Sequence, residues 1–355
     1  MAVTRNMVFD AIKALAIWLV VLGHCVQYLS GWEFWDNALF RLIYSFHMPL
    51  FFMVSGFFFA SSEDLPVWEF LKKKSIALLL PCFTWGIIYS CIYFQSWPHL
   101  ILSVLFPTNW PLWFLKGLFL VQIAAYVSLK LAARMGGGKN KMLLFAILLS
   151  MTVYMLPYFA IPRVMMPIFW IGYIMRRYYE PFKRYHRVIG IVALLLFMGL
   201  YGFWDDITMC YYGKASVTIY HVLLGKHGYT VWTMLRVVYR IVLGAAGSIA
   251  VIAWMHEWKY ENKYVSLIGS STAGIYILQT LLLENGLSLL FSKYVGSWGC
   301  NSIVLYAGLF VASVALVVLF TWIYQGVRKC KWVDLLLFGS GYKTRKMVGM
   351  NIKND

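Results

Sequence analysis

The chain has 355 residues, of which 61% are hydrophobic, 18% aromatic and only 13% charged. A soluble domain usually carries about 25% charged residues, so this composition excludes an ordinary soluble enzyme. The net charge of +17 would suggest nucleic-acid binding in a soluble protein, but here the basic residues cluster between apolar segments, which indicates membrane topology and no nucleic-acid partner.

Apolar segments of about 20 residues recur along the chain, and each is long enough to cross a bilayer as a helix. They are continuous rather than alternating, which disfavours a β-barrel. We predict an all-α, polytopic membrane helical bundle of about ten transmembrane helices. The predicted spans lie near residues 9–29, 38–59, 75–94, 110–133, 142–160, 164–178, 187–204, 231–254, 264–286 and 302–324.

The distribution of basic residues predicts the orientation. With the N-terminus in the cytoplasm, 22 Lys and Arg fall in inner segments or at the inner ends of spans, four fall in outer segments and the other five lie within spans. This bias predicts a multi-pass protein of the cell inner (cytoplasmic) membrane with both termini cytoplasmic. We expect an integral-membrane domain at residues 1–330 and a basic cytoplasmic tail at 331–355, and the basic segments can attract anionic membrane lipids.

The first predicted span, "DAIKALAIWLVVLGHC", holds a lysine and a histidine eleven residues apart. Eleven residues complete almost whole turns of an α-helix and rise about 16 Å, so Lys13 and His24 face the same way. Asp10, one turn earlier, can orient the Lys13 ammonium. His47 lies at a depth similar to that of His24 in the second span. The pattern indicates a polar channel, although snorkelling of Lys13 and helix-linking hydrogen bonds from the histidines stay open.

This layout suits acyl transfer from a thioester. A histidine can act as general base toward a hydroxyl or can accept an acyl group itself. Lys13 can hold a phosphate at the inner surface, and its separation from His24 matches an extended pantetheine arm. Three consecutive lysines before the third span can bind further phosphates of coenzyme A, or can be ordinary inner-face residues: Lys72, Lys73 and Lys74.

Buried charges also mark the outer half of the predicted bundle. A charge at mid-membrane costs at least ~3 kcal/mol, so it usually faces a cavity or a partner. Glu284 is the only buried acid predicted to be available to pair with the cations there. The excess of cations predicts an anionic or hydroxyl-rich ligand bound from the outer side, although each cation alone can also be structural. The cations are Arg41, Lys116, Arg163, Arg236 and Arg240.

Several ordered motifs resemble the membrane acyltransferase family 3, particularly its fucose-4-O-acetylase-like branch. They run from about residue 8 to 285. "FDAIKALAIWLVVLGH" resembles the first helix of the family, and Lys13, where many members have Arg, resembles that branch. "IYSFHMPLFFMVSGFFF" resembles the second-helix signature. Weaker likenesses are "FLKKKSIALLLPCF", "WPLWFLKGLFL" and "LIGSSTAGIYILQT".

The resemblance implies transfer of an acyl group, usually acetyl, from cytoplasmic acetyl-CoA (acyl-CoA) to a hydroxyl of an extracytoplasmic or lipid-linked glycan. It implies His24 as the catalytic residue and Lys13 as its essential basic companion. His47, Trp113 and Phe114 match motif positions of less settled role. Gln279 departs from the family, in which many members have His. The role of that histidine is then absent here, met by another group such as Glu284, or only a hydrogen-bonding one.

The sequence therefore predicts an integral-membrane O-acetyltransferase with His24 as general base and with Lys13 and His47 as further catalytic residues. The predicted substrate-binding site consists of Trp113, Glu284 and the outer cations. A glycan transporter or flippase, which needs no acyl donor, is the alternative, and a structural envelope protein is a third reading. The six cysteines lack metal-type spacing, so no metal cofactor is expected. The acceptor sugar and the oligomeric state, homo-oligomers included, stay open.

Overall fold

The computed structural model describes residues 7–29, 34–93, 112–136, 138–152, 160–204, 231–258, 262–287 and 303–340. This described part is helical and contains no β-strand, so the all-α prediction is confirmed. A 3-10 turn at Phe34–Asp36 precedes the helix Ala38–Phe59. Two π-helical turns, at Ser75–Leu79 and Thr280–Leu287, follow the helices that end at Lys74 and Gln279. The helices are α1 (Met7–Leu29), α2 (Ala38–Phe59), α3 (Val67–Lys74), α4 (Leu80–Tyr93), α5 (Trp113–Met135), α6 (Lys139–Ser150), α7 (Ala160–Arg177), α8 (Tyr179–Tyr201), α9 (Val231–Met255), α10 (Lys263–Ser270), α11 (Thr272–Gln279), α12 (Ile303–Val327) and α13 (Lys331–Phe338).

Seven helical segments of the described part are long and apolar enough to cross a membrane, where Val67–Cys91, which joins α3 and α4, counts as one segment. The bent pair Lys263–Ser270 and Thr272–Glu284 gives an eighth if it forms one span. The chain is therefore a multi-pass membrane protein. The predicted span near 142–160 corresponds in part to α6, whose 12 residues rise about 18 Å, less than the ~30 Å hydrocarbon core. The count of ten spans and the location of the termini stay predictions.

Two compact units divide the chain. The first consists of Met1–Ala60 and Val164–Ile323, and the second of Ser61–Arg163 and Tyr324–Asp355. In the first unit, α1 is central and packs on α2, α10 and α11, while α9 packs on both α2 and α8. The predicted boundary at residue 330, between the membrane domain and the cytoplasmic tail, is a different division and stays a prediction.

Glycines let helices of the first unit approach backbone to backbone. A Cβ atom at Gly269 would overlap the carbonyl of Asp10, and one at Gly56 would overlap the carbonyl of Phe169. Small residues at such crossings are typical of membrane helix packing. Gly269 thereby lets α10 pack on the N-terminal half of α1, beside Lys13.

Aromatic stacking and hydrogen bonds to backbone carbonyls hold the second unit together. Phe70 of α3 stacks on Tyr126 of α5 with ring centroids 3.9 Å apart. Trp85 of α4 donates to the carbonyl of Leu337 in α13 over 2.9 Å. The predicted tail therefore begins with a helix packed on α4, and residues 341–355 lie outside the described part of the chain.

Candidate active site

His24 lies on α1 among polar and aromatic side chains. Its Nδ1 atom is buried and lies 3.6 Å from Oε1 of Glu284, just beyond hydrogen-bonding distance. The imidazole stacks in parallel with Tyr28, with centroids 5.8 Å apart, and meets Tyr44 edge-on at 6.4 Å. The side chain keeps 18% of its surface exposed. Because Nδ1 is buried beside the carboxylate, Nε2 is the ring nitrogen left to meet a substrate.

Glu284 reaches His24 from the π-helical turn that follows α11. Gln279, the last residue of α11, donates from Nε2 to Oε1 of Glu284 over 3.0 Å. Five residues apart on an α-helix, the two side chains would diverge by about 140°. The wider π-helical turn, whose hydrogen bonds link residues five apart, accommodates the contact, and such turns are frequent at functional sites.

His47 approaches the same cluster from α2. Its Nδ1 atom lies 2.8 Å from the carbonyl oxygen of Ile43, and the side chain is 2% exposed. A carbonyl oxygen only accepts, so Nδ1 carries a hydrogen, and in the neutral imidazole Nε2 is then an acceptor. Tyr44 contacts both histidines, since its ring centroid lies 4.6 Å from that of His47. The structure thus brings together the two histidines that the sequence singled out.

Lys13 lies on α1, about 16 Å along the helix axis from His24. Its ammonium lies 2.7 Å from Oδ1 of Asp10, and the other oxygen of that carboxylate accepts a hydrogen bond from Ser266 at 3.0 Å. The ammonium also lies 5.5 Å from the ring centroid of Phe58. The predicted orientation of Lys13 by Asp10 is therefore present, and a quarter of the lysine side chain stays exposed.

Arg41 has a local set of partners. Its guanidinium donates to the carbonyl of Trp35 over 2.7 Å and to the carboxylate of Asp36 over 2.6 Å. It also covers the ring of Trp204 at 4.9 Å. The side chains of Arg41 and Asp36 are 32% and 81% exposed, so this ion pair lies at the surface of the first unit.

The other predicted outer cations are placed separately. Arg236 and Arg240 lie on α9 in the first unit, four residues apart and half-buried. Arg163 belongs to the first turn of α7, but its side chain lies outside the described residues. The acceptor role given to these cations stays a prediction.

The remaining predicted residues lie in the second unit. Lys116, in the first turn of α5, is 3% exposed, and Trp113 begins that helix. Leu112, just before it, has a φ of 63°, a left-handed conformation that leucine rarely adopts, so the turn that positions Trp113 is strained. The three lysines assigned to coenzyme A end α3: Lys72, Lys73 and Lys74. Their roles as ligands stay predictions.

Sequence reasoning missed the aromatic part of the site. Tyr28 follows His24 by four residues and Tyr44 precedes His47 by three, spacings that place each pair on one helix face. Tyr44 also donates from its hydroxyl to Oε1 of Gln27 over 2.8 Å. This helical spacing is the sequence signal that could have identified the two tyrosines. No cluster of three His, Cys, Asp or Glu side chains suited to a metal ion occurs within the described residues.

A polar network joins the start of α8 to the end of α9. Arg187 donates from two nitrogens to the carboxylate of Glu257, and His186 contacts the same carboxylate at 2.7 Å. The hydrogen bond from Arg187 is the main cause that lowers the pKa of Glu257. Beside it, His256 lies 3.0 Å from the hydroxyl of Tyr179, and burial lowers the pKa of this histidine.

Comparison with known proteins decides the family. Residues 8–322 match the family described as "Acyltransferase domain", which is acyltransferase family 3. The chain belongs to this acyltransferase family. The matched region includes both histidines, Lys13 and Glu284, so the resemblance given by the sequence motifs is confirmed.

Two curated relatives of this acyltransferase carry the name nodulation protein NolL. One is from Sinorhizobium fredii (strain NBRC 101917 / NGR234) and the other from Mesorhizobium japonicum (strain LMG 29417 / CECT 9101 / MAFF 303099). Each is 39% identical over 87 residues, which cover 23% of this chain and 23% of the relative. The match thus spans about a quarter of each relative. No solved structure matches the chain.

Proposed function

We propose that this acyltransferase is an O-acetyltransferase that moves an acetyl group from cytoplasmic acetyl-CoA to a hydroxyl of an extracytoplasmic or lipid-linked glycan. The observation that carries the proposal is the buried Nδ1 atom of His24 facing the carboxylate of Glu284. A base oriented by a third group is the general arrangement for activating a hydroxyl. Family membership supports acyl transfer, and the apolar helices support a membrane-embedded site.

The proposed reaction uses Nε2 of His24. This atom takes the proton of the acceptor hydroxyl as the hydroxyl oxygen attacks the thioester carbonyl carbon. The carbon–sulfur bond then breaks, and the imidazolium returns its proton to the departing thiolate of coenzyme A. Glu284 stabilises the transient positive charge on His24, and its contact with Nδ1 can shorten when substrate is bound. A covalent acyl-histidine route would use the same nitrogen and would leave an acetylated His24 detectable by mass spectrometry.

Donor binding is assigned to the inner end of α1. Lys13, fixed by Asp10, would hold a phosphate of coenzyme A while the pantetheine arm extends toward His24. Within the first unit, the acceptor would be held from the opposite side by Arg41, Arg236 and Arg240. For the second unit we propose separately, from the sequence, that Lys72, Lys73 and Lys74 bind phosphate and that Trp113 and Lys116 contact the acceptor. This arrangement requires the proposed orientation, with both termini in the cytoplasm.

Reconstituted protein tests the proposal directly. Purified wild-type protein, radiolabelled acetyl-CoA and a glycan fraction from the host membrane should yield labelled glycan, whereas His24→Ala should yield none while inserting normally. His186→Ala, at the Glu257 network, is the matched histidine control and should keep transfer. Folded wild-type protein that labels no host glycan would overturn the proposal and favour the glycan transporter that the sequence left open.

A further inference from the structure

The nitrogen and the oxygen of the Gln279 amide differ in their hydrogen bonding. Its Nε2 atom donates to Glu284 over 3.0 Å and to the hydroxyl of Thr280 over 3.2 Å, whereas its Oε1 atom is buried and has no hydrogen-bond partner among the described residues. The side chain has no exposed surface. An unpaired buried acceptor destabilises a fold. Stability alone therefore does not explain a glutamine at this position.

One oxygen atom connects Gln279 to the reacting histidine. Oε1 of Glu284 receives the hydrogen bond from Gln279 and is also the atom that faces Nδ1 of His24 at 3.6 Å. The amide is held in turn by Thr280, whose hydroxyl donates to the carbonyl of Tyr276 over 3.1 Å. A chain of contacts therefore runs from the backbone of α11 to the imidazole.

The junction between α11 and the π-helical turn fixes this chain of contacts. Gln279 ends α11, and Thr280 begins the turn that carries Glu284. A carboxylate on a turn of unusual geometry needs a second contact to hold one rotamer, because side chains otherwise sample several. The Gln279 amide supplies that contact.

We propose that Gln279 is a positioning residue of the His24–Glu284 pair. Its amide N–H holds the carboxylate oxygen in the place from which that oxygen orients His24, and it acts only through Glu284. This inference rests on the proposed acetyl transfer. It also gives a reason for the glutamine: the unpaired Oε1 atom is the structural cost of having a donor aimed at the carboxylate.

Two substitutions and a matched control separate positioning from packing. Gln279→Met keeps the length of the side chain and removes the donor, whereas Gln279→His supplies a ring N–H. Gln122 of α5, in the second unit, also has a buried Oε1 atom for which the described part of the chain offers no partner, so Gln122→Met makes the same chemical change elsewhere. Variants are purified and assayed for acetyl transfer and thermal unfolding.

We expect Gln279→Met to lower kcat about tenfold, with KM for acetyl-CoA and for acceptor within about twofold, since the interaction serves the reacting pair rather than binding. Its melting temperature should equal or exceed that of wild type because the unpaired acceptor is gone. Gln279→His should recover about a third or more of the lost kcat. Gln122→Met should keep kcat and should likewise not lower the melting temperature.

A double-mutant cycle tests the route through Glu284. If Gln279 acts only through that carboxylate, adding Gln279→Met to Glu284→Gln should lower kcat by less than about twofold further. Independent, multiplicative losses would overturn the positioning role, as would wild-type kcat in Gln279→Met or a loss of kcat that follows a fall in melting temperature. Wild-type protein without acetyl transfer would overturn the proposed function together with this role, so the two failures are distinguishable.

Discussion

Oδ2 of Asp10 accepts a hydrogen bond from Oγ of Ser266 over 3.0 Å, although 256 residues separate them in the chain. The other oxygen of the same carboxylate pairs with Lys13. A single buried carboxylate thus ties the lysine of α1 to α10. The ammonium is held in one orientation, which a lysine that only snorkels to the headgroups would not need.

Lys13→Ala should mainly weaken use of the donor. Removing a charge-assisted hydrogen bond to a phosphate costs about 1.5–3 kcal/mol, so KM for acetyl-CoA should rise about tenfold or more. Lys13→Arg keeps the charge and should stay within about threefold of wild type. Lys183→Ala, which removes a surface partner of Glu180, is the control. An unchanged KM for acetyl-CoA in Lys13→Ala would show that the lysine serves only folding or topology.

Gly269→Ala should destabilise the first unit because the added methyl group overlaps the carbonyl of Asp10. Overpacking of this kind costs about 1–3 kcal/mol and should also displace Lys13. Gly308→Ala on α12 is the matched control, since a Cβ atom there meets no atom of the described residues within 4 Å. Thermal unfolding of both variants in one detergent measures the difference. Equal melting temperatures would show that α10 does not approach α1 this closely.

The Glu257 network should give a pH-dependent contribution to stability. The hydrogen bond from Arg187 lowers the pKa of the Glu257 carboxyl from its ordinary value of 4.5. A lowered pKa in the folded protein adds stability above the unfolded value, and this stability is lost as pH falls through the folded value. Arg187→Gln should therefore have a lower melting temperature than wild type at pH 7. The difference between the two melting temperatures should become smaller as pH falls below 4.5.

Arg184→Gln serves as the control for that pH series. Its guanidinium lies over the ring of Tyr185 at 5.4 Å and is not part of the Glu257 network. Its melting temperature relative to wild type should not follow the same pH dependence. If the difference in melting temperature between Arg187→Gln and wild type stays constant across the acid range, Glu257 does not make the expected contribution to stability.

The paired arginines of α9 provide a test of acceptor binding. Replacing both Arg236 and Arg240 with Gln should raise KM for the glycan acceptor about tenfold, because charged hydrogen bonds to an anionic or hydroxyl-rich ligand are lost. KM for acetyl-CoA should not change. Lys263→Gln, at the start of α10, is the control. Full activity and unchanged acceptor affinity in the double variant would remove the arginines from the acceptor site.

Local signals in the sequence predicted the first two helices well. The predicted spans 9–29 and 38–59 agree closely with α1 and α2, and Asn37 marks the start of α2 by accepting from two backbone N–H groups. The predicted span 264–286 is instead broken, with a bend of 62° between α10 and α11. Hydrophobicity is continuous through that bend, so composition alone does not reveal it.

The candidate site was predictable where it depends on one helix. The spacing of Lys13 and His24 follows from helical geometry, and Asp10 follows from the same rule. The contact between His24 and Glu284 joins two helices distant in sequence and depends on a π-helical turn. No local pattern specifies that turn, so the sequence offered Glu284 only as a ligand for arginines or as a substitute for the family histidine.

The hydrogen bond between Asp10 and Ser266 has a consequence for biogenesis. The ribosome makes α1 first, but the carboxylate that orients Lys13 meets Ser266 only after α10 has been synthesised and inserted. Glu284 reaches His24 later still. A nascent chain that has released its early helices into the bilayer therefore lacks the proposed catalytic centre, which assembles only when the late helices pack onto the earliest one.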